Sequence, residues 1–198
     1  KGSDSKITDV DEKELDQIFK LVAAMKSAGI YTIISPYWGT SAKVQKGWGV
    51  LSHGGSNAEP LLFFEPTLQK GYKAWVKELY TRANPYGGGK LADEPAVAIV
   101  QLQNENSLLF WTGVFKGEAL TLYRKLFGQF LTAKYGSFDK AQAAWKGYKA
   151  EHVPDEWDKG LPGMLHVWDF TRDGRAKKGT LPGFEDRAAD QLEFIART

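Results

Sequence analysis

A carboxylic acid set among amides, Gln103-Asn104-Glu105-Asn106, directly follows the apolar run Ala96-Val97-Ala98-Ile99-Val100-Gln101-Leu102-Gln103. A glutamate in a semi-enclosed, polar mouth can serve as a general acid, because partial desolvation raises its pKa toward the working pH. The same side chain can instead accept hydrogen bonds at a strand end or cap a following turn, and the local residues leave both roles open. Simple alternation puts Val97, Ile99, Gln101, Gln103 and Glu105 on one face, with Val100 and Leu102 on the other. A bulge is the device that would shift this parity. Aromatic rings make up 13% of the chain. Several fall in loop-like contexts, notably Tyr37 and Trp38 in Ser35-Pro36-Tyr37-Trp38-Gly39, and Trp111 lies six residues beyond Glu105. Flat rings in loops can stack on sugars, although core packing and loop anchoring use the same residues.

Other chemistry finds little support. Gly87-Gly88-Gly89-Lys90 has the glycines of a phosphate loop, but Leu91 stands where Ser or Thr is needed, and the segment precedes a strand rather than opening a helix. His53, His152 and His166 lack metal-ligand spacing. No Gly-x-Ser-x-Gly occurs, so an α/β-type serine hydrolase is unsupported. With no Cys, disulfide scaffolds, thiolate zinc sites and a cysteine nucleophile are excluded. Neither a metal nor a cofactor is expected.

The elements that must position Glu105 alternate in type. Asp11 with Glu14 forms a capping-box-like pair ahead of Leu15, Ile18, Phe19, Val22 and Met25 at helical spacing, and Gly29 suits the exit. Residues 30–36 read as a strand buried on both faces, as in a parallel sheet. Residues 37–65 form a long loop. Pro66 suits the first position of a helix whose face carries Leu68, Tyr72, Trp75, Val76, Leu79 and Ala83. A turn at 84–89 leads to the second strand. A third helix carries Leu120, Tyr123, Leu126, Phe127, Phe130 and Leu131 and stops at Gly136, where Ser137 caps a short helix running to Trp145. Residues 147–181 read as loop. The last helix shows Phe184, Ala188, Leu192 and Ile195 on one face.

This order predicts an α/β fold with parallel strands. Two strands cannot close a barrel, so the chain reads as one segment, residues 1–198, of a larger α/β unit. The 26 basic and 24 acidic residues leave a net charge of +2, which is too small and too dispersed for a nucleic-acid or membrane-surface binder. No apolar run reaches the roughly 18 residues of a membrane span.

The strand with its lead-in, Asp93-Glu94-Pro95 through Asn104-Glu105, resembles the acid/base strand of clan A glycoside hydrolases, the fourth strand of a (β/α)8 TIM barrel. Lys134-Tyr135-Gly136-Ser137-Phe138 through Ala144-Trp145 resembles the helix that follows it in family 42 β-galactosidases and their cellulase-like family 5 relatives. Asn106-Ser107 replaces the usual Tyr-Gly after the Asn-Glu pair, and Gln142 stands where Asn is common. The resemblance implies part of a TIM barrel, about strands 3 and 4 with flanking helices, and retaining hydrolysis of glycosidic bonds in oligo- or polysaccharides. Glu105 matches the general acid/base. Asn104 matches the residue that hydrogen-bonds the sugar 2-hydroxyl. Tyr37, Trp38 and Trp111 are candidates to line or cover the mouth.

A retaining enzyme needs a second carboxylate as nucleophile. The resemblance puts it at the seventh strand, beyond this chain, so the isolated segment is expected to be inactive and poorly soluble. Glu65, Asp93, Glu94, Glu118 and Asp169 are expected to be solvated or capping carboxylates. The partner is a carbohydrate, with oligomeric state open. The substrate class slightly favours a secreted or periplasmic setting. A carbohydrate-binding barrel without catalysis is the alternative, followed by a non-glycoside α/β enzyme on the same fold.

Overall fold

The computed structural model describes residues 5–37, 43–50, 61–102, 107–111 and 115–198, apart from the side chains of residues 110 and 111. It is a mixed α/β structure with a small parallel sheet, and it divides between residues 105 and 106 into two compact units.

In the first unit, helix α1 (Glu12–Ser27) starts at Asp11, whose carboxylate accepts from the Lys13 and Glu14 amides at 3.1 and 3.2 Å. That is one half of the expected reciprocal pair. Gly29 leaves the helix at a φ of 73°, which costs a glycine little. Strand β1 (Thr32–Ile34) follows. Helix α2 (Pro66–Thr81) has Pro66 in its first turn, and the Glu65 carboxylate accepts from the Thr67 amide. Asn84 then anchors the glycine turn. Its Oδ1 accepts from the Tyr86 amide, and its Nδ2 reaches back to the Phe19 carbonyl of α1. Strand β2 (Val97–Val100) completes the unit.

The strands pair in parallel, and Leu15, Phe19, Val22, Ile34, Leu79 and Leu91 form the core beneath them, with Val97 packed against it. Burial on both faces is not what the sheet shows. Thr32 and Ile34 are buried, but Ile33 between them is 61% exposed and Ile99 is 53% exposed. In β2, Ala98, Ile99 and Val100 are all exposed.

The parity of β2 also differs from simple alternation. Thr32 pairs with Val97 and Ile33 with Ile99, so Ala98 is an extra residue in β2. The irregularity lets Val97 join the core while Ile99, two residues on, is exposed. Val97 and Ile99 therefore do not share a face.

The second unit holds α3 (Leu108–Trp111), α4 (Gly117–Tyr135), α5 (Phe138–Ala144), α6 (Arg172–Lys178) and α7 (Phe184–Arg197). Gly136 ends α4 at a φ of 84°, and the Ser137 hydroxyl caps α5. Phe127 of α4 packs on Phe194 of α7 and on Trp145, with ring centroids 5.1 and 6.3 Å away.

The stretch expected to be loop contains α6, which has no apolar stripe. Its Thr171 hydroxyl accepts from the Gly174 amide, and Arg175, Lys177 and Lys178 lie in its last turn, where cations oppose the helix dipole. The α7 face differs too. Leu192 and Ile195 are only half-buried, while Arg187, Asp190 and Gln191 are buried. Polar residues can occupy this face because each finds partners there, as described next.

Candidate functional site

Parallel pairing sends both strands out at the same edge of the sheet. The Gln101 amide donates to the Ile34 carbonyl at 2.9 Å there. Just past β1, α2 fixes the emerging chain: the Trp75 indole N–H donates to the Pro36 carbonyl at 2.8 Å. Half-buried Tyr37 meets Tyr72 of α2 edge to face, with ring centroids 6.1 Å apart. Burial pushes the Tyr72 hydroxyl pKa above its ordinary value, so that ring stays neutral and apolar.

Of the five site residues expected from sequence, the structure thus places Tyr37 at the edge where β2 also ends. Trp38, Asn104 and Glu105 lie outside the described residues. Trp111 closes α3 in the second unit, and its side chain lies outside the described ones.

The remaining carboxylates have local duties. Besides Glu65 at the start of α2, Glu94 accepts from the Ala96 amide at 3.1 Å and from Lys26 at 3.0 Å. The amide first, and then the ammonium, hold Glu94 below the usual carboxylate range. Asp169 accepts from the His166 amide. Glu118 lies in the first turn of α4 and Asp93 in the single 3-10 turn Leu91–Asp93. The turn at 84–89 connects α2 to that 3-10 turn, so its glycines open no helix.

The helix segment 134–145 has a visible task in the second unit. Asp190 Oδ2 accepts from the Tyr135 hydroxyl at 2.8 Å and the Trp145 indole at 2.7 Å, and its Oδ1 accepts from Lys134 at 2.7 Å. Lys134 also donates to Glu193. These two carboxylates, Asp190 first, raise the Lys134 pKa. Burial first, and then the bond to Asp190, push Tyr135 up to about 12. Lys134, Tyr135 and Trp145 thus converge on a single buried carboxylate and tie α4, α5 and α7 together.

Two buried arginines organise the long connection after α5. Arg124 donates to the carbonyls of Pro154, Leu161 and Pro162 and to Glu156. Arg187 donates to both oxygens of Asp155, at 2.7 and 2.9 Å, and to the carbonyls of Tyr148 and Gly163. Its guanidinium carbon lies 4.5 Å from the Trp145 ring centre. Gln191 pairs with both backbone groups of Leu165. None of these residues stood out in sequence, because an arginine on a helix reads as surface until its acceptors are known.

Among the described residues, no three His, Cys, Asp or Glu side chains group as a metal site. A groove of about 540 Å³ on the second unit is lined by Lys125, Gly128, Gln129, Thr132, Phe138 and Gly160, among others, and no carboxylate or imidazole lines it. No helix among the described residues is long and apolar enough to cross a membrane. No protein-family model, curated protein or solved structure matches the chain.

Proposed function

We propose that the chain carries the acid/base portion of a retaining glycoside hydrolase, built as a segment of a clan A-like (β/α)8 barrel around its third and fourth strands. One observation carries the reading. β1 and β2 are parallel neighbours separated by helix α2, and Asn104 and Glu105 come three and four residues after Gln101, whose amide bonds to Ile34. In α/β barrels the ends of parallel strands supply catalytic groups on one common face. The early loop of β1, with Tyr37, leaves from that same edge.

In this reading Glu105 protonates the leaving oxygen as the glycosidic bond breaks. It then takes the proton of the water that releases the sugar from the enzyme. Asn104 holds the 2-hydroxyl, and Tyr37 and Trp38 offer ring faces to neighbouring sugar units. The partner is a carbohydrate, and the second carboxylate is not assigned to any residue of the chain.

The test is hydrolysis of aryl glycosides and oligosaccharides by the full-length protein and its Glu105→Gln variant. General acid catalysis contributes roughly 10²–10⁴-fold. A loss of that size is expected for leaving groups that need a proton, and a smaller one for activated phenols in the bond-breaking step. Glu105→Gln activity within about tenfold of wild type on unactivated glycosides overturns the assignment. Tight glycan binding with no turnover by wild type would instead favour a binding barrel.

A further inference from the structure

Two of the three histidines lie on the connection after α5, and the fold brings them together. His152 and His166 meet edge to face, with ring centroids 4.4 Å apart. They flank the antiparallel bridge between Val153 and Met164. His166 also starts the 3-10 turn Val167–Phe170. Its amide donates to Asp169 Oδ2 at 2.9 Å, and its Nδ1 receives the Trp168 amide N–H at 3.3 Å.

A backbone amide has a proton to give and no lone pair to offer. Nδ1 must therefore be unprotonated in this contact, which makes His166 the neutral ring with its proton on Nε2. The turn so held carries Trp168, whose side chain is left largely in solvent: the residue is 65% exposed. The Trp168 carbonyl is fixed from the other side by the Thr171 hydroxyl at 2.7 Å.

We infer that His166 is an acid-sensitive cap: neutral, it closes the Val167–Phe170 turn and holds exposed Trp168 in place, and protonated, it releases the start of that turn. The proton adds to Nδ1, and the bond that breaks is the one from the Trp168 amide, because two donors then face each other. Three neighbouring ionisable groups set how readily this happens. His152 from the preceding loop and Lys178 from α6 oppose a new positive charge, and Asp169 of the turn favours it. Lys178 is itself held by Asp169 Oδ1 and Glu151, each at 2.9 Å.

Burial first, and then His152, keep His166 below the ordinary histidine range. A histidine depressed in the fold binds its proton more readily in the unfolded chain. Its contribution to stability is thus complete above about pH 6.5 and is lost as pH falls from there through the folded value. This inference does not depend on the glycosidase reading.

The experiment is a nitrogen-15 NMR titration of the full chain from pH 8 to pH 5. At pH 8 the His166 Nδ1 shift should be that of an unprotonated ring nitrogen. As His166 titrates, the Trp168 amide should shift with the same midpoint and lose roughly fivefold to tenfold of its exchange protection, the scale of one net hydrogen bond. His166→Asn keeps an acceptor without a titrating ring at that position, so its Trp168 amide should lose the step at the His166 midpoint. A protonated Nδ1 at pH 8 overturns the inference. So does a Trp168 amide that ignores the titration of His166, or one that keeps the same step and midpoint in His166→Asn. The first two readouts need only the wild-type chain.

Discussion

Replacing Arg187 by Met removes a guanidinium with no solvent exposure while leaving its partner Asp155, only 6% exposed, as an uncompensated buried charge. The side chain makes two bonds to that carboxylate, one each to the Tyr148 and Gly163 carbonyls, and a cation–π contact with Trp145. Breaking one side of a buried ion pair costs about 3–5 kcal/mol, most of it the penalty of the stranded charge. The arginine Nε, buried without a partner, already offsets a little of the native gain. The two orphaned carbonyls push the cost toward the upper end of that range. Against a typical domain stability of about 5–15 kcal/mol, this is roughly a fifth or more of the total.

The assay is urea unfolding at pH 7, read as the change in midpoint at constant slope. Arg187→Met should lose about 3–5 kcal/mol. Adding Asp155→Asn should recover part of the loss, since the amide carries no charge and can still accept from the Gly163 amide that Asp155 holds at 2.5 Å. A loss below about 1 kcal/mol for Arg187→Met, or single-variant losses that simply add in the pair, would refute the reasoning.

Three further outcomes follow from the same structure. Asp190→Asn should bring the Tyr135 hydroxyl, held at about 12, down toward its ordinary value as the bonded carboxylate charge is removed, and an ultraviolet phenolate titration reads this directly. Glu94, held by the Ala96 amide and Lys26, Glu156, held by Lys159 and Arg124, and Glu193, held by Lys134 and Arg197, all lie below the ordinary carboxylate range, so they stabilise the fold above that range. That stability is lost as pH falls through their folded values, and melting temperatures across pH 6 to 2.5 should decline there. Gly183→Ala should destabilise by more than about 2 kcal/mol, because the residue has a φ of 80° and an added Cβ would collide with the Trp145 carbonyl; equal denaturation midpoints would contradict this.

Much of the fold was legible where local signals agreed. In α1 and α2 the apolar stripe agrees with the entry residue, Asp11 and Pro66, and in α4 it agrees with the stop at Gly136. Helix α3 is four residues long, too short to show a period. Helix α6, Arg172–Lys178, is fixed by Thr171 at one end and by cations at the other, so a search for an apolar face passes over it. On α7 the expected Phe184 and Ala188 are buried, but Arg187, Asp190 and Gln191 join them because partners from distant segments, namely Asp155, Trp145 and Leu165, receive them. No local pattern announces those partners.

The strands were visible as β-branched runs, but Ala98 breaks the parity, and a bulge depends on register with Thr32 and Ile33 rather than on β2 alone. As for the candidate site, residue types and order were readable around Asn104-Glu105. The 134–145 segment shows why resemblance is not yet mechanism: Lys134, Tyr135 and Trp145 all serve Asp190.

The pH dependence of kcat/KM on an unactivated glycoside, compared between the full-length protein and its Glu105→Gln variant, tests the proposed chemistry most directly. If Glu105 is the proton donor, wild type gives a bell whose alkaline limb reports the deprotonation of that carboxyl, and the variant retains a low rate without that limb. An alkaline limb that survives unchanged in Glu105→Gln would show that another group supplies the proton.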